Sequence, residues 1–171
     1  KPADGPDITG PQEDRLLALF EACRQTGHEL LLEIIPDKTR PGDGAMVAAM
    51  IRRYYDLGLK PDWWKLSSPD DLAGWSAITE VVRSRDPDCR GVLLLGLDAP
   101  EPDLVKTLTA AAAQPICRGF AIGRSVFSQP AESWLQNRTD DAAFESEEHG
   151  LLRGFAFRDL KHDYDLVCDC G

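Results

Sequence analysis

The chain has 171 residues, 43% of them hydrophobic and 28% charged, with a formal net charge of -10. That size and composition suit one globular domain with a sizeable core. The acidic balance argues against nucleic acid and anionic membrane surfaces as partners, and no apolar run approaches the roughly 20 residues that span a bilayer.

Residues 1–11, rich in Pro, Gly and Asp, read as a linker or lead-in. The chain opens on Lys1 rather than Met and shows no secretory signal, which leaves an upstream region open. Over 12–26, Leu16, Leu17, Leu19, Phe20 and Cys23 recur at helical spacing, and Gly27 makes a natural stop. The run ELLLEIIP (29–36) predicts a strand buried on both faces. A helix over 45–57 ends at Gly58, and DWWKL (62–66) follows as a strand between turn-forming flanks. A third helix spans 69–84, with Ser68 as its cap and Asp70 and Asp71 in its first turn.

The pattern then repeats. GVLLLGL (91–97) predicts a buried strand, 102–113 a helix, RGFAIG (118–123) a fourth strand, and 130–135 a short helix. Residues 140–148 have helical character, but 150–154 break it, and 145–171 read as an irregular tail. Strand starts near 29, 62, 91 and 118 repeat at about 30 residues, the length of a βα unit. Four such units over 12–144 predict an α/β domain with a parallel sheet and helices outside it. Two architectures fit: the second half of a (β/α)8 barrel, or a small open flavodoxin-like sheet with helices on both faces.

The five cysteines, Cys23, Cys89, Cys117, Cys168 and Cys170, are odd in number, and the first three are isolated. A disulfide framework is therefore not expected, and a reducing cytoplasm is the natural compartment. Cys168-Asp169-Cys170, near His162, could hold an adventitious ion, but no second ligand pair completes a zinc pattern. No metal or other cofactor is expected.

Lys65 closes an apolar strand. Alternation puts Trp63 and Lys65 on one face and Trp64 and Leu66 on the other. A lysine among aromatic and aliphatic walls loses hydration, which favours the neutral amine, a nucleophile toward carbonyl carbon. The alternative is a stem threaded past the tryptophan with its ammonium in water. Glu33 stands in the middle of the first apolar run, on one face with Leu31 and Ile35. It is a candidate proton shuttle for Lys65, or else one half of a structural ion pair with Lys65, Arg90 or Arg118. Both residues stand near the carboxyl ends of parallel strands, where α/β proteins place their sites.

The fourth strand runs into Gly123-Arg124-Ser125. Glycine permits close backbone approach, amides at a helix start can hold an anion, and an arginine fork suits phosphate. Arg124 could equally pair with a surface acid. Asp98, in the turn after the third strand, is a further polar candidate or a cap for the next helix.

ELLLEIIP, PDWWKL, CRGVLLLGLDAP and RGFAIGRSVF, in this order, resemble the C-terminal aldolase-like domain of bacterial 5-dehydro-2-deoxygluconokinases of myo-inositol catabolism, across 12–136. That domain is similar to class I aldolases of the tagatose-bisphosphate type, which are (β/α)8 barrels. The resemblance implies that Lys65 is the Schiff-base lysine, Glu33 the acid/base residue, and Gly123 and Arg124 the phosphate turn. The implied substrate is a small phosphorylated keto-sugar, 2-deoxy-5-keto-gluconate 6-phosphate, cleaved to dihydroxyacetone phosphate and malonate semialdehyde. Two departures accompany it. A closed barrel needs around 250 residues, so this chain looks like the second half alone. Residues 145–171 also do not resemble a closing helix. A half barrel exposes two sheet edges and an apolar face, so it should self-associate or pair with the missing half. No kinase signature is present in these residues, and a catalytically silent module or a sugar-phosphate isomerase or epimerase using Glu33 are the competing readings.

Overall fold

The computed structural model describes residues 5–35, 42–96 and 101–146, with the side chains of 6, 7, 101 and 124–126 outside that set. In chain order the elements are α1 (Pro6–Thr26), β1 (Leu31–Glu33), α2 (Gly44–Asp56), β2 (Trp63–Leu66), α3 (Leu72–Arg85), β3 (Gly91–Leu95), α4 (Glu101–Ala112), β4 (Cys117–Ala121) and α5 (Arg124–Leu135). Helical residues follow at 141–146. The strands form one parallel sheet in the order β1-β2-β3-β4, so the α/β expectation holds.

Alternation decides which face is buried. Leu32 and Ile34, Trp64 and Leu66, and Val92 and Leu94 point to one side. There they pack with Val47, Ile51 and Tyr55 of α2, Ile78 and Val82 of α3, and Ala111 of α4. Burying each large side chain of this set stabilises by about 1.5–3 kcal/mol before chain entropy is counted. Gly44 and Gly74 let α2 and α3 approach backbone to backbone: a Cβ on Gly44 would collide with the Gly74 main chain. The opposite face carries Leu31, Glu33, Trp63, Lys65 and Leu93, each partly or largely exposed.

Consecutive parallel strands joined by crossovers of one hand place every helix on the same side. Sequential order with the core on one side of the sheet therefore describes a singly wound arrangement. The flavodoxin-like alternative, with a reversed strand order and helices on both faces, does not match it.

Several boundaries differ from the sequence expectation, each for a local reason. Residues 6–11 are the first turns of α1 rather than a lead-in: Gly5 is the N-cap and Pro6 stands at the helix start, where its missing N–H costs nothing. β1 is not buried on both faces, since Leu31 is 40% exposed and Glu33 is also exposed. It is an edge strand, and no described element covers its open side. The cap of α3 is Asp71, whose carboxylate accepts from the Gly74 amide at 2.7 Å, and not Ser68. α5 starts at Arg124 and carries the buried Pro130 inside it, where a short helix around that proline was expected.

Candidate active site

β1 and β2 pair so that Glu33 stands directly beside Lys65. Lys65 Nζ lies 3.2 Å from Glu33 Oε2, with the lysine side chain 22% and the glutamate 37% exposed. The neighbouring side chains explain how the lysine is held. Trp64 is fully buried, its ring meets Tyr55 edge-on at 5.5 Å, and its Nε1 donates to the Tyr55 hydroxyl at 2.9 Å. Burial pushes the Tyr55 phenol far above its ordinary range, so it stays a neutral partner. With residue 64 locked into the core, residue 65 must project onto the open face.

The amino ends of the strands are tied separately. Trp63 Nε1 donates to Glu29 Oε2 at 2.7 Å, and Arg90 pairs with Glu29 Oε1 at 2.6 Å. Asp62 accepts from the Leu30 amide at 2.8 Å. Lys65 is the cation that pairs with Glu33; Arg90 is engaged by Glu29, and Arg118 Nε donates to the Arg90 carbonyl at 3.4 Å.

The row continues across the sheet. Lys65 pairs with Leu93, and Leu93 with Gly119. That last pairing depends on an irregularity: Val92 faces Cys117 while Leu93 faces Gly119, so Arg118 is an extra residue in β4. The bulge re-phases the strand. Cys117 and Phe120 pack toward the core, whereas Gly119 completes the Lys65 row. Gly91 leaves room for the displaced arginine, since a Cβ there would sit 2.6 Å from Arg118 Cγ.

Gly123, at the carboxyl end of β4, is the N-cap residue of α5, and its carbonyl accepts from the Phe127 amide at 3.1 Å. The backbone of Arg124 and Ser125 forms the first turn of that helix, while their side chains lie outside the described set. Asp98 lies outside the described residues altogether. The structure thus brings Lys65 and Glu33 together and puts a helix start after β4, in the order a catalytic pair and an anion-binding turn would need. Among the described residues no group of three His, Cys, Asp or Glu could hold a metal ion, and no helix is long and apolar enough to cross a membrane.

Residues 1–150 match the family described as an uncharacterized protein conserved in bacteria, DUF2090. The chain belongs to that family. No curated protein matches it. In this DUF2090 chain, sequence reasoning missed Leu93 and Gly119 as neighbours of the lysine. Two consecutive apolar strands do not reveal their register, and Arg118-Gly119 reads as ordinary strand until the bulge is seen.

Proposed function

We propose that this chain is a class I aldolase-type domain, one half of a (β/α)8 barrel, whose chemistry runs through a Schiff base at Lys65. The observation that carries the reading is the Lys65–Glu33 pair, 3.2 Å apart on the face of the parallel sheet opposite the buried core. A carboxylate at that distance is within proton-transfer reach of the amine. The resemblance to the C-terminal domain of bacterial 5-dehydro-2-deoxygluconokinases supplies the substrate: 2-deoxy-5-keto-gluconate 6-phosphate.

In this reaction Glu33 takes a proton from the Lys65 ammonium, and the free amine adds to the C5 carbonyl. Loss of water leaves a protonated imine. Removal of the C3 hydroxyl proton by a carboxylate then breaks the C3–C4 bond, with its electron pair flowing into the iminium. Malonate semialdehyde departs, the resulting enamine is protonated at C4, and water releases dihydroxyacetone phosphate and restores the lysine. Arg124, Ser125 and the amides after Gly123 anchor the phosphate.

The test is intact mass after incubation with dihydroxyacetone phosphate and borohydride, followed by peptide mapping. A single adduct on Lys65 supports the reading, and an unmodified Lys65 in folded protein overturns it for this chain. A second reading is a non-catalytic interaction module. It is favoured by the exposed Leu31 and Ile35 beside the pair, which suit a covering partner as well as a substrate.

A further inference from the structure

Burial in this chain follows position along the sheet. The middle helices are well seated: α2 buries Val47, Ile51 and Tyr55, and α3 buries Ile78, Val81 and Val82. The outer helices are not. No described side chain of α1 is buried, and in α5 only Pro130 is. Large apolar side chains stand exposed on the same two flanks, Ile8, Leu19 and Leu31 at one side and Phe127 and Leu135 at the other. In the units between, among the described residues, only Leu57 and Leu72 are large, apolar and exposed.

The open backbone lies on those flanks too. β1 and β4 each have one neighbour among the described strands. The Leu30 carbonyl accepts from Trp63 and the Ile34 amide donates to Lys65, so the alternate residues Leu31 and Glu33 turn their amides away from β2. A second sheet laid face to face over Leu31 and Lys65 would cover that face, but would leave both edges and α5 as they are. Closure side by side covers all of them. A copy related by a two-fold axis along the strands sets its β1 parallel to β4 and its β4 parallel to β1, which leaves no edge. The helices stay outside, because each copy keeps its core on the helix side. Two copies of the four-stranded sheet make eight strands, the number whose interior is just filled by side chains. Lys65 and Glu33 enter that interior as a neutral pair, 3.2 Å apart, which limits the cost of taking charge out of water.

We propose that a second copy of this chain completes the sheet, β4 of each pairing with β1 of the other, and that both Lys65–Glu33 pairs stand inside the ring so formed. The inference rests on the half-barrel reading above. It makes the partner's inner face the opposite wall of each site.

The experiment follows the full chain by sedimentation and by hydrogen exchange with peptide mapping, in dilute and in concentrated solution. A dimer is expected, with slower exchange over both 31–33 and 117–121 once it forms. Leu31→Pro removes one outward amide and leaves the β1–β2 ladder its own bonds. A two-fold dimer meets that change twice, so its dissociation constant should rise about a hundredfold, about tenfold for each joint. Circular dichroism checks that the variant is folded; if it is not, exchange in the wild-type chain decides. A wild-type chain that stays monomeric at high concentration overturns the proposal. So does a dimer whose 31–33 and 117–121 amides exchange as in the monomer, since its faces would be stacked. Growth into ever larger species overturns the closure. Borohydride trapping with dihydroxyacetone phosphate reads the Schiff base separately. An adduct at Lys65 in a monomeric chain leaves the chemistry standing without the ring, and no adduct in a closed dimer leaves the ring without the chemistry.

Discussion

Trp64 Nε1 donates to the Tyr55 hydroxyl at 2.9 Å, and this bond between α2 and β2 sets the direction of the side chain one position later. Tyr55→Phe keeps the ring but strands a buried indole N–H. A loss of about 1–3 kcal/mol of stability is expected, the cost of an unsatisfied buried donor. Urea unfolding of the two proteins measures it, and a difference near zero would show that the bond contributes nothing.

Lys65→Met should abolish adduct formation and turnover while leaving the fold in place. The Lys65–Glu33 pair is partly exposed, so losing it changes stability by about 1 kcal/mol or less. Turnover surviving in Lys65→Met would instead favour an isomerase or epimerase with Glu33 as base. Glu33→Gln should slow imine formation without moving the melting temperature much.

Asp86 follows α3, is only 4% exposed, and burial raises its carboxyl above the ordinary range. The folded state therefore holds a proton that the unfolded chain releases at about pH 4, and stability falls as pH rises from there through the raised folded value. Asp86→Asn removes the charge, so it should be more stable than wild type at neutral pH. That gain should shrink as the solution is acidified toward pH 4. Thermal melts across that range decide it; a gain that is constant with pH would contradict the sign.

Burial likewise raises the thiols of Cys89 and Cys117. Above about pH 8.5 the unfolded chain loses thiol protons that the folded chain keeps, so stability falls with rising pH. Cys89→Ala should flatten part of that alkaline slope, read from urea midpoints between neutrality and pH 10. An identical slope in the variant would assign the effect elsewhere.

The alternation of strands and helices in a parallel sheet was legible in the sequence because apolar runs recur at a βα spacing that tertiary context did not override, whereas the strand order was left between two architectures. Lys65 and Glu33 were legible for the same reason: period-two alternation fixes a face once a strand is recognised. The rest depended on neighbours that sequence cannot supply. Leu31 and Ile35 read as buried because they are apolar, but exposure follows from what lies opposite, and nothing described does. Asp71 rather than Ser68 caps α3 because two nearby residues of cap type differ only in backbone geometry. The bulge at Arg118 left no compositional mark, since either phase of RGFA makes a plausible strand.

The sheet face opposite the core, which no described element covers, makes a further expectation concrete. An all-parallel sheet is ordinarily covered on both sides, and here Leu31 and Ile35 are 40% and 54% exposed. The chain should associate with itself or with a complementary half at micromolar concentration, and Leu31→Lys with Ile35→Lys should shift sedimentation toward monomer. A monomeric wild-type chain at high concentration would remove that expectation.

β1 is three residues long, pairs with β2 alone among the described strands, and carries Glu33. The carboxylate that would move protons for Lys65 therefore rides on the shortest described strand, one with a single described neighbour. Whatever zips onto that free edge would stiffen the acid as well as lengthen the sheet. Acid–base competence at Lys65 would then obey mass action, rising with the concentration of whichever chain completes the edge.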